Sequence, residues 1–250
     1  MDIKAYLNRI GIEKAGEPSL KFLTELQNRH FLFIPFEDLD IPDRSRIELD
    51  LDEIYNKIIL SKRGGFCYEL NGLFHWLLTS LGFRVDMLSA RVFNSQKNDF
   101  GPEYDHMTLL VHLDKDYLAD VGFGDSFRRP IEIPDGEAED VSGQYKILKK
   151  VDNLFELLKK EENDFSKQYC FTTDPKSLED YEEMCAFQQD SLSSHFRTRM
   201  ICTIATETGR ITLSNNSLTI TENGIKTKTD FTDQNDFYLL LKKHFGIVLD

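Results

Sequence analysis

The segment at residues 63–71, RGGFCYELN, constrains the fold more than any other part of this chain, because two glycines precede a cysteine where a helix is expected to begin. The glycines permit a tight backbone turn and keep side chains away from a reacting group. Free N–H groups at the start of a helix, together with a nearby cation such as Arg63, favour the thiolate form of Cys67. The segment therefore predicts a helix that carries a nucleophilic cysteine, and the alternative is a small buried core residue.

Two residues further along the chain complete a set of groups for nucleophilic catalysis. His106 begins an extended run, HMTLLV, and Asp120 lies in LADVGFG. A thiol nucleophile needs a base that accepts its proton and an acidic group that orients the base. Cys67, His106 and Asp120 supply these roles in chain order, and their joint occurrence favours a covalent mechanism over three unrelated structural residues.

The spacing of His106 and Asp120 makes a specific demand on the hairpin that joins them. With a two-residue turn at residues 114–115, the two side chains would lie on opposite faces of the sheet, because side chains alternate along a strand. Contact between imidazole and carboxylate requires another register, such as one centred on Leu113, or a bulge that redirects one side chain. We expect one of these arrangements.

The order of secondary-structure patterns indicates an α+β protein. Helix-period apolar residues dominate the first third of the chain, with Ser19 as one helix cap, and short β-branched and aromatic runs follow. Asn223-Gly224 is a strong signal for a tight hairpin turn. Helices are expected at residues 20–27, 51–59, 67–82 and 233–245, and strands at residues 84–93, 144–148, 154–158, 202–205, 210–213, 217–221 and 225–229, as well as in the runs around the histidine and the aspartate.

Helices followed by strands predict a fold in three parts rather than alternating βαβ units. The expected parts are an N-terminal helical bundle, a central antiparallel β-barrel or sheet, and a C-terminal α/β lid. The corresponding domains are residues 1–82, which carry the nucleophile, residues 83–188, which carry the histidine and aspartate, and residues 189–250, which form the lid.

Composition argues against several classes of function. The formal net charge of −13 and the pI near 5.0 argue against nonspecific binding to nucleic acid or to an anionic membrane, since both require a basic face. The N-terminus lacks the apolar stretch of a secretory signal, and no apolar run has the length of a membrane span. Four widely spaced cysteines form no CxxC pair, so we expect no metal, no disulfide framework and a cytoplasmic location.

Several motifs in order give the chain a resemblance to one enzyme family. IPFEDLD at residues 34–40, then RGGFCYELN, HMTLLV and DVGFG, and SHF at residues 194–196 resemble the arylamine N-acetyltransferase family along nearly the whole chain. The resemblance implies a cysteine-protease-like core with a Cys-His-Asp triad at Cys67, His106 and Asp120. It further implies acetyl-CoA as donor, an acetyl thioester on Cys67, a small-molecule arylamine or hydrazine as acceptor, and a role in xenobiotic metabolism.

The resemblance and the local chemistry assign further residues to the site. Glycines after the acid allow close approach of coenzyme A, and aromatic side chains suit an apolar acceptor. Coenzyme A contacts are expected at Gly122, Gly124 and Ser194, acceptor contacts at Phe36 and Phe123, and support for the nucleophile at Arg63, Glu69 and Asn71. Side chains considered for the phosphates of coenzyme A are Ser126, Arg128, Arg129, Arg197, Arg199, Lys226 and Lys228.

Two other functions fit the same three roles. A thiol hydrolase of the papain or transglutaminase type uses them for peptide or amide cleavage, and a noncatalytic module would bind coenzyme A on the same fold. The chain also departs from the family pattern, since the family often has Asn where this chain has Asp38 and many members are longer. The sequence leaves open the physiological acceptor, the preferred acyl donor and the oligomeric state.

Overall fold

The computed structural model describes residues 1–43, 45–162 and 164–249, and the side chains of Asp43 and His195 lie outside this description. The α-helices are α1 (Ile3–Arg9), α2 (Leu20–Phe33), α3 (Asp40–Asp43), α4 (Leu51–Tyr55), α5 (Cys67–Ser80), α6 (Glu182–Asp190) and α7 (Gln234–Phe245). The strands are β1 (Phe36–Glu37), β2 (Arg84–Asn94), β3 (Asp99–Phe100), β4 (His106–His112), β5 (Asp116–Ala119), β6 (Ile131–Ile133), β7 (Glu137–Asp140), β8 (Gly143–Lys149), β9 (Leu154–Glu161), β10 (Asp164–Lys176), β11 (Ile201–Thr206), β12 (Gly209–Ser214), β13 (Ser217–Glu222) and β14 (Ile225–Asp230).

The helical layer packs around α5, which begins at Cys67 as the sequence predicts. Leu70, Leu73 and Leu77 are buried along this helix, because residues three and four positions apart share one helical face. They join one core cluster with residues of α1, α2 and α4 and of strands β2, β4 and β5. Each such side chain contributes roughly 1.5–3 kcal/mol when it is fully buried, so this core fixes the start of α5 against the sheet.

The larger sheet forms an almost closed antiparallel barrel in the order β6-β5-β4-β2-β10-β9-β8-β7. Its two ends are linked through Gly136, whose N–H donates to the Glu132 carbonyl and whose carbonyl accepts from the Ile147 N–H, both at 3.0 Å. The predicted α+β class with a central antiparallel barrel is therefore confirmed.

The smaller sheet has the order β1-β11-β12-β13-β14 and packs on α7. Its first strand comes from the N-terminal part of the chain, where Phe36 pairs with Thr203 and Glu37 with Cys202. The pairing places β1 and the start of β11 beside each other, near the start of α5, where Phe36 bridges to Gly65. In the described parts of the chain, no helix combines the length and the apolar character of a membrane span.

The pairing of β4 with β5 shows which register places His106 and Asp120 on the same face of the sheet. Leu109 pairs with Ala119 and His112 with Asp116, so the hairpin is centred on Asp114 rather than on Leu113. The register differs from the one that a two-residue turn would give, as expected. The hairpin centre suggested from the sequence, Leu113, is wrong by one residue. A shift of the centre by one residue changes the pairing by two, which keeps His106 and Asp120 on one face because strand faces alternate.

Several elements were not predicted from the sequence, among them β10 and α6. Strand β10 pairs with both β2 and β9 in the barrel, yet only its middle, around Tyr169, is fully buried and its ends are polar. Helix α6 is short and mostly polar. The division into three domains stays a prediction; its second boundary, at residues 188–189, falls inside α6, and β1 of the first part pairs with β11 of the third.

Candidate active site

Cys67 is the first residue of α5 and is held in place by a hydrogen-bonded turn. The Glu69 carboxylate accepts from the backbone N–H of Phe66 at 3.1 Å and from Lys57 Nζ at 2.8 and 2.9 Å. Glu69 is buried, with 1% of its surface exposed, so it cannot act as an ordinary residue of the helix surface. The predicted support of the nucleophile by Glu69 thus has a physical basis in this cap.

The side chains of His106 and Asp120 are in direct contact with each other. His106 Nε2 lies 2.7 Å from Asp120 Oδ2, and both side chains are buried. Because Nε2 contacts Asp120, Nδ1 is the ring nitrogen left to exchange a proton with Cys67. His106 and Cys67 line the same cavity. Holding one ring nitrogen against a carboxylate fixes the tautomer and orientation that a base requires.

Asp120 receives four hydrogen bonds. In addition to His106, Tyr169 Oη donates to Oδ2 at 2.9 Å, and Oδ1 accepts from Asn71 Nδ2 at 3.0 Å and from the Gly122 N–H at 2.8 Å. Burial alone would raise the pKa of this carboxyl, but His106 and the donors from Asn71 and Gly122 outweigh that effect and hold the pKa below its usual value. Asp120 is therefore an ionised carboxylate at neutral pH.

Asn71 joins the helix to both strands of the hairpin. Its Nδ2 donates to the Met107 carbonyl at 2.6 Å and to Asp120, and its Oδ1 accepts from the Val121 N–H at 2.9 Å. Because the amide lies one turn after Cys67 on α5, these bonds set the helix and the hairpin in one fixed position. The structure thus gives the predicted supporting residue Asn71 a set of named contacts.

The thiol of Cys67 is in an environment that favours its neutral form. Burial raises the pKa of Cys67 well above its ordinary value, and negative charges nearby, including Asp105 and Asp120, act in the same direction. A hydrogen bond from the Tyr68 N–H, in the first turn of α5, acts to lower it. The helix start alone does not produce a thiolate here, so ionisation requires a base, and His106 lines the same cavity.

Cys67 reaches a cavity of about 300 Å³ between the barrel and the smaller sheet. The His106 ring is 5.0 Å from the Phe123 ring, measured between centroids. The cavity is lined by Phe36, Asp38, Cys67, Val92, Asp105, His106, Gly122, Phe123, Phe196, Arg199 and Ile201. Both predicted acceptor contacts, Phe36 and Phe123, are in this lining, and its aromatic character suits an apolar ring.

Gly122 is required by the close approach of two backbone segments. A Cβ on this residue would lie 2.9 Å from Cys67 Cα, 2.8 Å from the Cys67 carbonyl oxygen and 2.6 Å from Asn71 Nδ2. Gly124 adopts a φ of 77°, which favours glycine, but it is absent from the cavity lining. Of the two glycines predicted to contact coenzyme A, only Gly122 is placed beside the nucleophile.

Arg63 does not have the role first expected from its closeness to Cys67 in sequence. Its guanidinium bonds Glu37 at 2.8 and 3.0 Å and Asp40 at 2.7 Å. Its positive charge is therefore paired with two carboxylates, and the residue links β1 to the turn before α5. Arg63 is adjacent to the thiol segment in sequence, but its positive charge is paired with carboxylates from a segment more than 20 residues earlier.

Ser194 also differs from its expectation as a coenzyme A contact. The side chain is buried, its hydroxyl donates to Gln188 Oε1 at 2.9 Å, and it accepts from the Phe196 N–H at 3.3 Å. The hydroxyl thus stabilises the turn after α6, and the neighbouring His195 side chain lies outside the described residues. The residue of the SHF motif that lines the cavity is Phe196.

The basic residues considered for phosphate contacts are separated by the fold. Arg199 lines the cavity and is exposed, whereas Arg128 is buried and donates to the carbonyls of Thr206 and Gly209. Within the described ranges, no cluster of three His, Cys, Asp or Glu side chains has the arrangement of a metal site. All four cysteines are free thiols.

Sequence reasoning missed Tyr169 because it lies on β10, which was not predicted. Its hydroxyl bonds Asp120 across 49 positions of sequence, and its ring is 5.3 Å from the His106 ring, measured between centroids. The available signal was the short run of aromatic and apolar residues at 169–171, YCF. It would have indicated a strand but not the partner.

Comparison with known proteins extends these observations. A family model described as N-acetyltransferase matches residues 19–250. Arylamine N-acetyltransferase 2 from Mus musculus is 31% identical over 278 residues, covering 100% of this chain and 95% of the relative. The solved arylamine N-acetyltransferase from Salmonella typhimurium superposes with a TM-score of 0.92 at 29% identity, covering 98% of this chain and 90% of that one.

A second solved structure bears on the third position of the triad. An arylamine N-acetyltransferase from Bacillus cereus, described as having a unique Cys-His-Glu catalytic triad, has a TM-score of 0.91 at 28% identity and covers 100% of both chains. The present chain has an aspartate, Asp120, in contact with its histidine, His106.

Proposed function

This chain belongs to the arylamine N-acetyltransferase family, and from that membership we propose that it moves an acetyl group from acetyl-CoA to an arylamine or arylhydrazine through a thioester on Cys67. The observation that carries the proposal is the contact of His106 with Asp120 beside a cavity that Cys67 also lines. A thiol, a base and an orienting carboxylate around one apolar cavity are the parts that covalent acyl transfer requires.

In the first half-reaction, His106 Nδ1 takes the proton of the Cys67 thiol while Asp120 holds Nε2 and stabilises the imidazolium. The sulfur attacks the carbonyl carbon of the acetyl thioester and forms a tetrahedral intermediate. The bond between that carbon and the sulfur of coenzyme A then breaks. The leaving sulfur receives the proton from His106, and Cys67 remains acetylated.

In the second half-reaction, the lone pair of the amine nitrogen attacks the acetyl carbon. His106 accepts a proton from this nitrogen, the bond between the acetyl carbon and the Cys67 sulfur breaks, and the amide leaves. The Cys67 sulfur then takes the proton from His106, which restores the thiol and the neutral imidazole. Arylamines and hydrazines suit this step because they are largely unprotonated at neutral pH. The aromatic side chains Phe36 and Phe123 provide the surface against which an aromatic acceptor packs.

The oxyanion of both intermediates needs hydrogen-bond donors. Cys67 opens α5, so no helical carbonyl satisfies its backbone N–H. In the loop after Asp120, the N–H groups of Val121 and Gly122 already donate to Asn71 and Asp120. We therefore assign the Cys67 N–H as the principal donor to the oxyanion.

The acetyl thioester is the part of acetyl-CoA that we expect to enter the cavity. A cavity of about 300 Å³ is at the lower limit for a drug-sized ligand, so it holds the acetyl thioester and an acceptor ring while the nucleotide remains outside. Arg199, exposed in the lining, is the candidate contact for a phosphate of coenzyme A. The proposed three domains then contribute the nucleophile, the base with its carboxylate, and one wall of the cavity.

We also propose a cytoplasmic location and a role in xenobiotic metabolism. A reaction through a thiol nucleophile requires that the sulfur stay reduced, and the other cysteines are free as well. The apolar aromatic cavity suits foreign arylamines of varied structure.

Mass spectrometry of the protein incubated with acetyl-CoA tests the proposed function. We expect an acetyl adduct on the peptide that contains Cys67, and we expect an arylamine to discharge it. Cys67→Ala should abolish both adduct and product, whereas Cys202→Ala, at a buried cysteine of β11, should retain them. Peptide or amide cleavage without an adduct would favour a thiol hydrolase, and donor binding without an adduct would favour a noncatalytic module.

A further inference from the structure

A cluster of buried charges beside the cavity contains more carboxyl groups than cations. Arg63 bonds Glu37 and Asp40, while Lys57 bonds Asp40 and Glu69. Two cations therefore serve three carboxylates. Asp38, next to Glu37 in the chain, forms no ion pair within the described residues and is the fourth carboxyl of the cluster, made up of Glu37, Asp38, Asp40, Lys57, Arg63 and Glu69.

Asp38 is held rigidly in the wall of the cavity. Its Oδ1 accepts from the Ile201 N–H at 2.7 Å, and its own N–H donates to the Ile201 carbonyl at 3.3 Å. Only 2% of its surface is exposed, yet its side chain lines the cavity that also contains Cys67. A carboxyl group fixed by backbone contacts on one side and facing a ligand cavity is arranged for recognition.

The rest of the lining does not neutralise this group. Asp105 is a second acid in the cavity, and its Oδ1 accepts from Gln188 Nε2 at 2.9 Å. Among the described residues of the lining, Arg199 carries a positive charge, and it is exposed to solvent. His106 is engaged with Asp120. Asp38 therefore favours a positive charge on the part of the ligand that lies beside it.

The electrostatic state of Asp38 agrees with this geometry. Burial, followed by the negative charge of Glu37, raises the pKa of Asp38 to about 8, although hydrogen bonds from the backbone and the charge of Lys57 oppose the change. An ionised carboxylate without a partner is costly in a buried site. A cation brought by the ligand would supply the missing partner, and the carboxyl proton would pass to solvent.

We propose that Asp38 is a specificity-determining residue that selects acceptors carrying a second, cationic group, such as an aminoalkyl substituent on the ring of the arylamine. This inference rests on the proposed acetyl transfer, since the acceptor must occupy the cavity beside Cys67. The reacting aryl nitrogen stays neutral, and the protonated substituent pairs with the carboxylate of Asp38.

Three acceptors of similar size test this inference when acetyl-CoA is held constant. They are 4-(aminomethyl)aniline, which is cationic, 4-methylaniline, which is neutral, and 4-aminobenzoate, which is anionic. The kcat/KM for acetylation of the aryl nitrogen is measured for the unmodified protein, for Asp38→Asn and for Glu132→Gln. The last variant removes one negative charge from β6, outside the cavity, where Glu132 pairs with Lys115.

We expect the unmodified protein to prefer the cationic acceptor to the neutral one. Asp38→Asn should lower that preference about tenfold or more, as loss of a hydrogen bond to a charged group predicts, and should raise the relative rate with the anion. Glu132→Gln should keep the original preferences. Asparagine can still accept from the Ile201 N–H, and Asp38→Ser provides a second test if the first variant does not fold.

The outcomes separate the two proposals. If the unmodified protein acetylates 4-methylaniline but Asp38→Asn and Asp38→Ser leave the preference within about twofold, the role of Asp38 is wrong and acetyl transfer stands. If no acetyl adduct forms on Cys67 and none of the three acceptors is acetylated, the proposed function fails and the inference fails with it.

Discussion

The hydroxyl of Tyr169 donates a 2.9 Å hydrogen bond to Asp120 Oδ2, the same oxygen that contacts His106. Two donors on one oxygen reduce the ability of that carboxylate to take a proton from the imidazole. Burial and the charge of Asp120 also raise the pKa of Tyr169 well above its ordinary value, so the phenol remains a donor. Tyr169 is thus a positioning residue that acts through Asp120.

Removal of this hydroxyl should weaken catalysis without removing the nucleophile. Tyr169→Phe is expected to lower kcat/KM by about tenfold, because it deletes a hydrogen bond to a charged group and raises the pKa of Asp120. The pH profile of kcat/KM should change as well. Tyr145→Phe is the control, since it removes a buried hydroxyl from β8 that bonds the Ser142 carbonyl; equal profiles in both variants would contradict the assigned role.

Loss of the Asn71 amide should affect stability and activity together. Asn71→Ala removes three hydrogen bonds and leaves the Met107 carbonyl and the Val121 N–H buried without these partners. The free energy of unfolding, measured by urea denaturation, should fall by about 2–3 kcal/mol, and acetyl transfer should decline. Asn153→Ala, near the surface, should cost less than about 1 kcal/mol. Similar losses in both variants would argue against the joining role of Asn71.

A methyl group on Gly122 should disrupt the approach of the hairpin to α5. Gly122→Ala would place a Cβ 2.8 Å from the Cys67 carbonyl oxygen, so the backbone must move. We expect a loss of about 1–3 kcal/mol in unfolding free energy and a larger relative loss of Cys67 acetylation. Gly72→Ala, in the same helix, meets only the flexible Leu178 side chain at 3.3 Å and should stay within about 1 kcal/mol of the parent. Full activity in Gly122→Ala would refute this explanation.

Asp38 should also make stability depend on pH in a defined direction. Its folded-state pKa is raised to about 8, whereas an unfolded aspartate titrates near 4. Between these values the folded chain keeps a proton that the unfolded chain releases, so the contribution of Asp38 to stability falls as pH rises. Asp38→Asn should therefore gain stability relative to the parent, by about 1 kcal/mol or more, between about pH 5 and pH 8.

Urea denaturation at several pH values across that window measures the difference. Glu132→Gln, at a half-exposed carboxyl outside the cavity, is the matched control and should show little change with pH relative to the parent. A constant difference between Asp38→Asn and the parent would contradict the assigned protonation.

Local signals predicted much of the fold because they lie within a few residues of one another. Ser19 caps α2 and accepts from the Phe22 N–H, and the Asn223-Gly224 turn joins β13 to β14, as the sequence indicates. Strand β10 was missed because its few apolar residues lie among polar and charged residues and Pro175, and because its burial depends on two neighbouring strands. Such tertiary information is absent from a local pattern.

The candidate site shows the same limit. The motifs identified Cys67, His106 and Asp120 as a set, and the contact that their roles require excluded the register in which the last two lie on opposite faces of the sheet. Nothing near Arg63 in sequence indicated that Glu37 and Asp40 would neutralise it, since those partners lie 26 and 23 positions away. Charge near a thiol in sequence therefore says little about charge near it in space.

The pairing of β1 with β11 also has a consequence for synthesis of the chain. While the ribosome has released only the part up to α6, a nascent chain contains Cys67, His106 and Asp120 but lacks Phe196, Arg199 and Ile201, which complete the cavity. The nucleophile and the acceptor-contacting rings of Phe36 and Phe123 are therefore synthesised before the last wall of the cavity, and the complete site forms only after β11 has been made.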